Sequence, residues 1–215
     1  MRLSVKICGC NSRDAVSAAV AGGADYVGFV FYPPSPRSVS VEEAAQLASL
    51  VPERVQKVGL FVDSDDALLQ RVTRSVKLDL IQLHGAETPD RVAAIKRLMQ
   101  LPAMKAIKIA LAADVDAAKP YIGLADRLLF DAKAPASMTG ALPGGNAVSF
   151  DWALLSGRSW PVPWMLSGGL HAGNIADAAR ISGARTVDVS SGVETAPGVK
   201  NPEKIRAFLA MASVL

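Results

Sequence analysis

The 215-residue sequence has little cysteine and little histidine, two of each. The cysteines, Cys8 and Cys10, are separated by a single glycine. That is a poor separation for a mutual disulfide, and small secreted scaffolds carry more cysteine. A reducing, cytoplasmic setting is therefore expected. A Cys-x-Cys metal site would want further ligands close by, but the histidines are His84 and His171, so no metal is expected. No run of Lys and Arg forms a basic stripe, and the formal net charge is only +3. That excludes the usual footprint of a nucleic-acid partner. No uninterrupted apolar stretch reaches the roughly 18 residues that a membrane span needs. The start, Met1-Arg2-Leu3-Ser4-Val5-Lys6, lacks the long apolar segment of a secretory leader. No linker, low-complexity segment or long charge block interrupts the chain, and nothing in it sets an oligomeric state.

What is present is an ordinary globular balance, 50% hydrophobic and 20% charged. The length suits one domain over residues 1–215. Short apolar runs, as strands buried on both faces should be, occur at Leu3 to Ile7, Tyr26 to Phe31, Gln56 to Phe61, Asp79 to Gln82, Met104 to Ile107, Arg127 to Phe130, Pro163 to Leu166 and Thr186 to Val189. Helical patterns lie between them. Ala15, Val16, Ala19 and Val20 share a face, with Gly22 and Gly23 ending that helix. Ser40 with Glu43 reads as a capping box. Leu68, Leu69, Val72 and Val76 form a third stripe. Thr88-Pro89 and Asn201-Pro202 each read as an N-cap followed by a first-turn proline. Weaker patterns occur around Ala112 to Lys119 and near Asp151 to Leu155. Eight strands, each followed by a helix, predict a (β/α)8 (TIM) barrel of the α/β class. A doubly wound open sheet is the alternative, because strand order is not visible in a sequence.

In either fold, chemistry sits beyond the carboxyl ends of the strands. Cys8 ends the first strand. It is either a base, if an electropositive mouth lowers its pKa, or a small buried hydrophobe. Lys6, two residues back, points to the same face and is a candidate to assist there. His84 ends the fourth strand, where it can orient a substrate or simply face solvent. Asp131 follows the sixth strand. Partial desolvation would suit it to general-acid work, and an ion pair with Lys133 is the structural alternative. Strands seven and eight end in Ser167-Gly168-Gly169 and Ser190-Ser191-Gly192. Glycines let backbone approach an anion closely, and a following helix would add a positive dipole end. These two loops are the common phosphate site of such barrels. Arg37 follows Pro33, Pro34 and Pro36 in a stiffened loop, where it can hold a carboxylate bidentately.

Several segments together resemble one family, phosphoribosylanthranilate isomerase. They are Lys6-Ile7-Cys8-Gly9, Gly28-Phe29-Val30-Phe31, Ser35-Pro36-Arg37-Ser38-Val39, Val58-Gly59-Leu60-Phe61-Val62 and Gln82-Leu83-His84-Gly85. The series continues with Phe130-Asp131-Ala132-Lys133, Phe150-Asp151-Trp152, Leu166-Ser167-Gly168-Gly169-Leu170, Asp188-Val189-Ser190-Ser191-Gly192-Val193-Glu194 and Pro197-Gly198-Val199-Lys200. They run almost the whole chain in the family's order. The resemblance implies the (β/α)8 barrel, no cofactor, no metal, a small phosphorylated substrate and an Amadori rearrangement in tryptophan biosynthesis. It implies Cys8 as general base and Asp131 as general acid. It places Arg37 on the anthranilate carboxylate; His84 and Lys6 are further candidate substrate contacts by their strand-end positions. The phosphate falls to Gly168, Gly169, Ser190, Ser191 and Gly192. It also implies a glycine-rich cover over the site between Ala134 and Ser149. The related sugar isomerase of histidine biosynthesis would resemble a barrel with Asp at the position of Cys8 and a second glycine pair after strand three. This chain has Phe61-Val62-Asp63-Ser64 there. A catalytically silent phosphate binder would be free to lose Cys8 or Asp131, and both remain.

Overall fold

The computed structural model describes residues 2–215. Met1, which begins the segment read as lacking a leader, lies outside the described residues. Eight parallel strands close into a barrel in chain order: β1 (Ser4–Cys8), β2 (Tyr26–Phe31), β3 (Gln56–Phe61), β4 (Leu80–Leu83), β5 (Ala103–Ile109), β6 (Arg127–Ala132), β7 (Trp164–Leu166) and β8 (Thr186–Val189). β8 pairs back onto β1, Lys6 opposite Asp188, and this closure rules out the open sheet. The expected strands recur within a few residues. β7 starts one residue late because Pro163 has no N–H to donate, although its carbonyl accepts from Leu128. β6 runs to Ala132, so Asp131 belongs to the strand and its direction is set by the ladder.

The expected caps at Ser40, Thr88 and Asn201 each open a helix, and Ser12 and Asp65 cap two more. Ser12 caps α1 (Arg13–Ala21) by accepting from the Ala15 N–H. Ser40 and Glu43 form the reciprocal box at α2 (Val41–Ala48). Asp65 caps α3 (Asp66–Ser75), and Thr88 with Pro89 opens α4 (Pro89–Met99). The fifth connection is one short turn, α5 (Ala112–Val115), continued as a 3-10 turn through Pro120. The sixth is only a 3-10 turn at Trp152–Leu155, so β6 has no true helix after it. α6 is Ile175–Ser182, and α7 is Pro202–Ser213, capped by Asn201. Between β8 and α7 lie a three-residue 3-10 turn and a two-stranded hairpin, β9 (Glu194–Ala196) with β10 (Val199–Lys200). None of the described helices is long and apolar enough to cross a membrane.

Alternation along the strands sends one set of side chains out to the helices and the other into the barrel. Tyr26, Val58, Leu80, Met104, Leu129 and Met165 pack one interior cluster. Cys8, Val30 and Leu60 pack another at the carboxyl end. Gly28 lies between them on β2. A Cβ there would stand 3.2 Å from both Cys8 Sγ and Lys6 Cε, so the missing side chain makes room for those two.

Candidate active site

A cleft of about 720 Å³ opens at the carboxyl end of the barrel. Cys8, Arg37, His84, Asp131, Gly168, Gly169, Ser190 and Ser191 all line it, so residues from six strands and loops converge on one space. Lys6 does not. It is fully buried beneath Cys8, with Nζ donating to Asp188 Oδ1 at 2.8 Å. The expectation that Lys6 touches substrate therefore gives way to a supporting position: β1 alternation puts Lys6 one interior layer below Cys8.

Burial pushes the Cys8 thiol above its ordinary value, opposed by the Lys6 ammonium and more weakly by Lys200, while Asp188 reinforces the rise. Of the two alternatives for Cys8, the raised thiol matches the buried setting rather than a mouth that lowers its pKa. The Lys6 ammonium is held charged: burial pulls its pKa down, but Asp188 and Cys8 outweigh that and raise it. A thiolate formed at Cys8 would have this cation directly beneath it. Cys10 is also buried, its thiol pushed up to about 12 by desolvation. Neither cysteine is in a disulfide.

Asp131 is buried, and its partner is His84, whose Nε2 lies 3.1 Å from Oδ2. The Lys133 alternative is set aside, because Lys133 reaches Asp114 instead. Behind His84, the Gln82 amide lies 2.8 Å from Nδ1. Gln82 and His84 are alternate residues at the end of β4 and share the interior face, so a polar chain runs from the barrel interior to the Asp131 carboxyl. Gln82 carried no role in the sequence reading. An amide inside an otherwise apolar, fully buried strand was the available signal. The turn after His84 is braced by a second buried pair: Lys105 Nζ donates to Glu87 Oε2 at 2.7 Å and to the Gly85 carbonyl at 2.7 Å.

The β7 loop turns on Gly168 (φ 91°) and Gly169 (φ 63°), left-handed conformations that favour glycine. A Cβ on Gly168 would meet the Ala132 backbone nitrogen at 2.7 Å. Among the described residues, the N–H groups of Gly168 and Gly169 have no hydrogen-bond partner. Asn174, preceding α6, accepts from the His171 N–H and donates to the Gly169 carbonyl, pinning this loop. Ser190 and Ser191 open the 3-10 turn after β8, and Gly192 packs against the Leu170 carbonyl where any Cβ would collide. The two loops thus touch through Gly192 and border the cleft side by side, a cradle suited to an anion. Residue Asp188, unassigned in the sequence reading, also lines the cleft and accepts from Ser167 Oγ at 3.3 Å.

The glycine-rich segment after β6 covers the cleft, with Leu142 to Val148 forming its roof. Asn146 braces it by exchanging hydrogen bonds with the Leu142 backbone. Gly144 rests on the acid pair, and the Gly145 carbonyl accepts from Arg37 Nη2 at 3.1 Å. Arg37 is buried and held bidentately by Glu194, Nε at 2.8 Å and Nη2 at 2.9 Å. Among the described residues, its Nη1 has no hydrogen-bond partner, and no cluster of three or more His, Cys, Asp or Glu could hold a metal ion.

Comparison with known proteins points to one family and one fold. Residues 5–211 match the family model described as N-(5'-phosphoribosyl)anthranilate (PRA) isomerase. Proteins of that name from Rhodospirillum centenum and Paramagnetospirillum magneticum are 61% and 59% identical, the first over 100% of both chains, the second over 99% of this chain and 98% of its own. The crystal structure of phosphoribosyl anthranilate isomerase from Thermotoga maritima superposes with a TM-score of 0.88 at 34% identity, covering 99% of this chain and 100% of that one. A phosphoribosyl anthranilate isomerase in complex with reduced 1-(o-carboxyphenylamino)-1-deoxyribulose 5-phosphate gives a TM-score of 0.83 at 32% identity over 99% of this chain and 100% of its own.

Proposed function

The chain belongs to the N-(5'-phosphoribosyl)anthranilate isomerase family, and from that premise we propose that Cys8 is the general base and Asp131 the general acid of its reaction. The reaction is the Amadori rearrangement of the aminoaldose to 1-(2-carboxyphenylamino)-1-deoxyribulose 5-phosphate in tryptophan biosynthesis. Asp131 protonates the furanose ring oxygen and the sugar opens to a Schiff base. The positively charged nitrogen acidifies C2′–H. Cys8 takes that proton as a thiolate, leaving an enolamine that tautomerises to the ketone. Each proton transfer by a positioned group contributes roughly 10²–10⁴-fold.

The observation that carries this reading is that Cys8 and Asp131 line one covered cleft although they sit on strands β1 and β6. His84 orients the Asp131 carboxyl. Lys6 steadies the Cys8 thiolate from below. Arg37 takes the anthranilate carboxylate, and the Gly168, Gly169, Ser190, Ser191 and Gly192 loops take the phosphate. Anchored at both anionic ends, the substrate presents its sugar to acid and base, which is where orientation contributes. Two buried, unpaired thiols support a reducing, cytoplasmic setting, and the whole chain is read as one domain. The test follows the loss of substrate fluorescence as phosphoribosylanthranilate is generated in situ. Wild type gives fast, saturable loss; Cys8→Ala and Asp131→Asn each lose orders of magnitude in kcat. Near wild-type kcat in either variant overturns that residue's role.

A further inference from the structure

Above the barrel lies a buried charge cluster that the acid–base pair does not use. Glu194 is its centre. Oε1 accepts from Arg37 Nε at 2.8 Å and from Lys200 Nζ at 2.7 Å. Oε2 accepts from Arg37 Nη2 at 2.9 Å and from the Gly198 N–H at 3.2 Å. Its backbone carbonyl accepts from Lys204 Nζ at 2.6 Å. Lys200 Nζ continues to the Ser190 carbonyl at 2.9 Å and Ser190 Oγ at 3.0 Å, and Ser190 Oγ donates to the Cys8 carbonyl at 3.1 Å. One carboxylate therefore joins the loop after β2, the loop after β8 and the backbone of the base. Arg37, Lys200 and Glu194 together leave one positive charge beside the cleft.

We propose that Glu194 is a positioning residue that sets the spacing between the two anion-holding ends of the site. Through the bidentate pair it fixes the Arg37 guanidinium, leaving Nη1 for the anthranilate carboxylate. Through Lys200 it holds the Ser190 turn against the 5′-phosphate. The proposal rests on the reading that Arg37 and the β8 loop take those two groups. An arginine without Glu194 would have to be ordered anew at each binding event, since its long side chain has many rotamers and its planar fork binds only when aimed. The cover is shaped to this arrangement. A Cβ on Gly145 would lie 2.5 Å from Arg37 Nη1 and 2.8 Å from Cζ, so glycine lets the roof pass over a fixed guanidinium.

The test is a double-mutant cycle with Arg37→Met, Glu194→Gln and the pair, reading kcat and KM separately, with inorganic phosphate as a competitive inhibitor. Glu194→Gln is expected to raise KM roughly 2- to 12-fold and to lower kcat much less. In the Arg37→Met background the same change raises KM by a smaller factor, the part carried by the phosphate arm alone. The inhibition constant for phosphate rises with Glu194→Gln in both backgrounds, because that arm runs through Lys200. Effects on KM that multiply independently overturn the proposal while leaving the Arg37 assignment standing. An unchanged KM in Arg37→Met overturns both. If Glu194→Gln does not fold, Glu194→Asp, which keeps the charge and shortens the reach, enters the same cycle with the same expectations.

Discussion

Alanine at Gly144 probes how tightly the cover must sit on the acid. The added Cβ would lie 2.8 Å from His84 Nε2 and 3.0 Å from Asp131 Oδ2. Contacts of carbon with heavy atoms are comfortable near 3.5–4.0 Å, so the methyl arrives roughly 0.5–1 Å too close. Gly144 is not among the positive-φ glycines, so the penalty is steric alone. His84 cannot yield cheaply, because Gln82 and Asp131 hold its two ring nitrogens. The roof must lift instead, which also strains the Gly145 hydrogen bond to Arg37. Overpacking of this kind costs about 1–3 kcal/mol. Read as a loss of the closed form, that is about 5- to 150-fold. We expect kcat/KM for phosphoribosylanthranilate to fall by such a factor in the fluorescence assay, with little change in melting temperature, since the barrel core is untouched. Gly140→Ala is the control. Its Cβ meets nothing within 4 Å, and only its φ of 72° is strained. Gly144→Ala with wild-type kcat/KM would refute the idea that the covered state is the working one.

Two further outcomes follow from the buried groups. Replacing Lys6 by Met leaves the Asp188 carboxylate buried without its cation and should destabilise the fold by about 3–5 kcal/mol; adding Asp188→Asn should recover part of that, as urea unfolding would measure. The thiols of Cys8 and Cys10 are both raised by burial. An unfolded chain ionises them at the ordinary thiol value, whereas the folded chain keeps them neutral. The resulting stability is complete below that ordinary value and is lost as pH rises toward the folded value, about 12 for Cys10. The loss is about 1.4 kcal/mol per pH unit per thiol. Urea midpoints at pH 8 and pH 10 should therefore separate, and Cys10→Ala should narrow the gap.

Local chemistry made much of this legible in advance. Capping residues such as Ser40, Glu43, Thr88 and Asn201 act within one helical turn, and apolar runs report strands buried on both faces. Cys8 and Asp131 were visible because a strand end is a place that sequence can locate. The partners were not. Lys6 meets Asp188 from 182 residues away, and Arg37 meets Glu194 from 157. No periodicity reports such pairs. A position near the strand end therefore points Lys6 toward the substrate, whereas barrel closure places it one layer down. The sequence shows three prolines stiffening the Arg37 loop, but not the two hydrogen bonds by which Glu194 holds the guanidinium. The missing helix after β6 follows from the same segment serving as cover.

The most direct test of the central claim uses substrate carrying deuterium at C2′. If Cys8 removes that proton and Asp131 opens the ring, weakening the base in Cys8→Ser makes C–H cleavage limiting and exposes a primary isotope effect on kcat. Asp131→Asn makes ring opening limiting and shows none. An isotope effect that appears in Asp131→Asn and is absent in Cys8→Ser would contradict the assignment of acid and base.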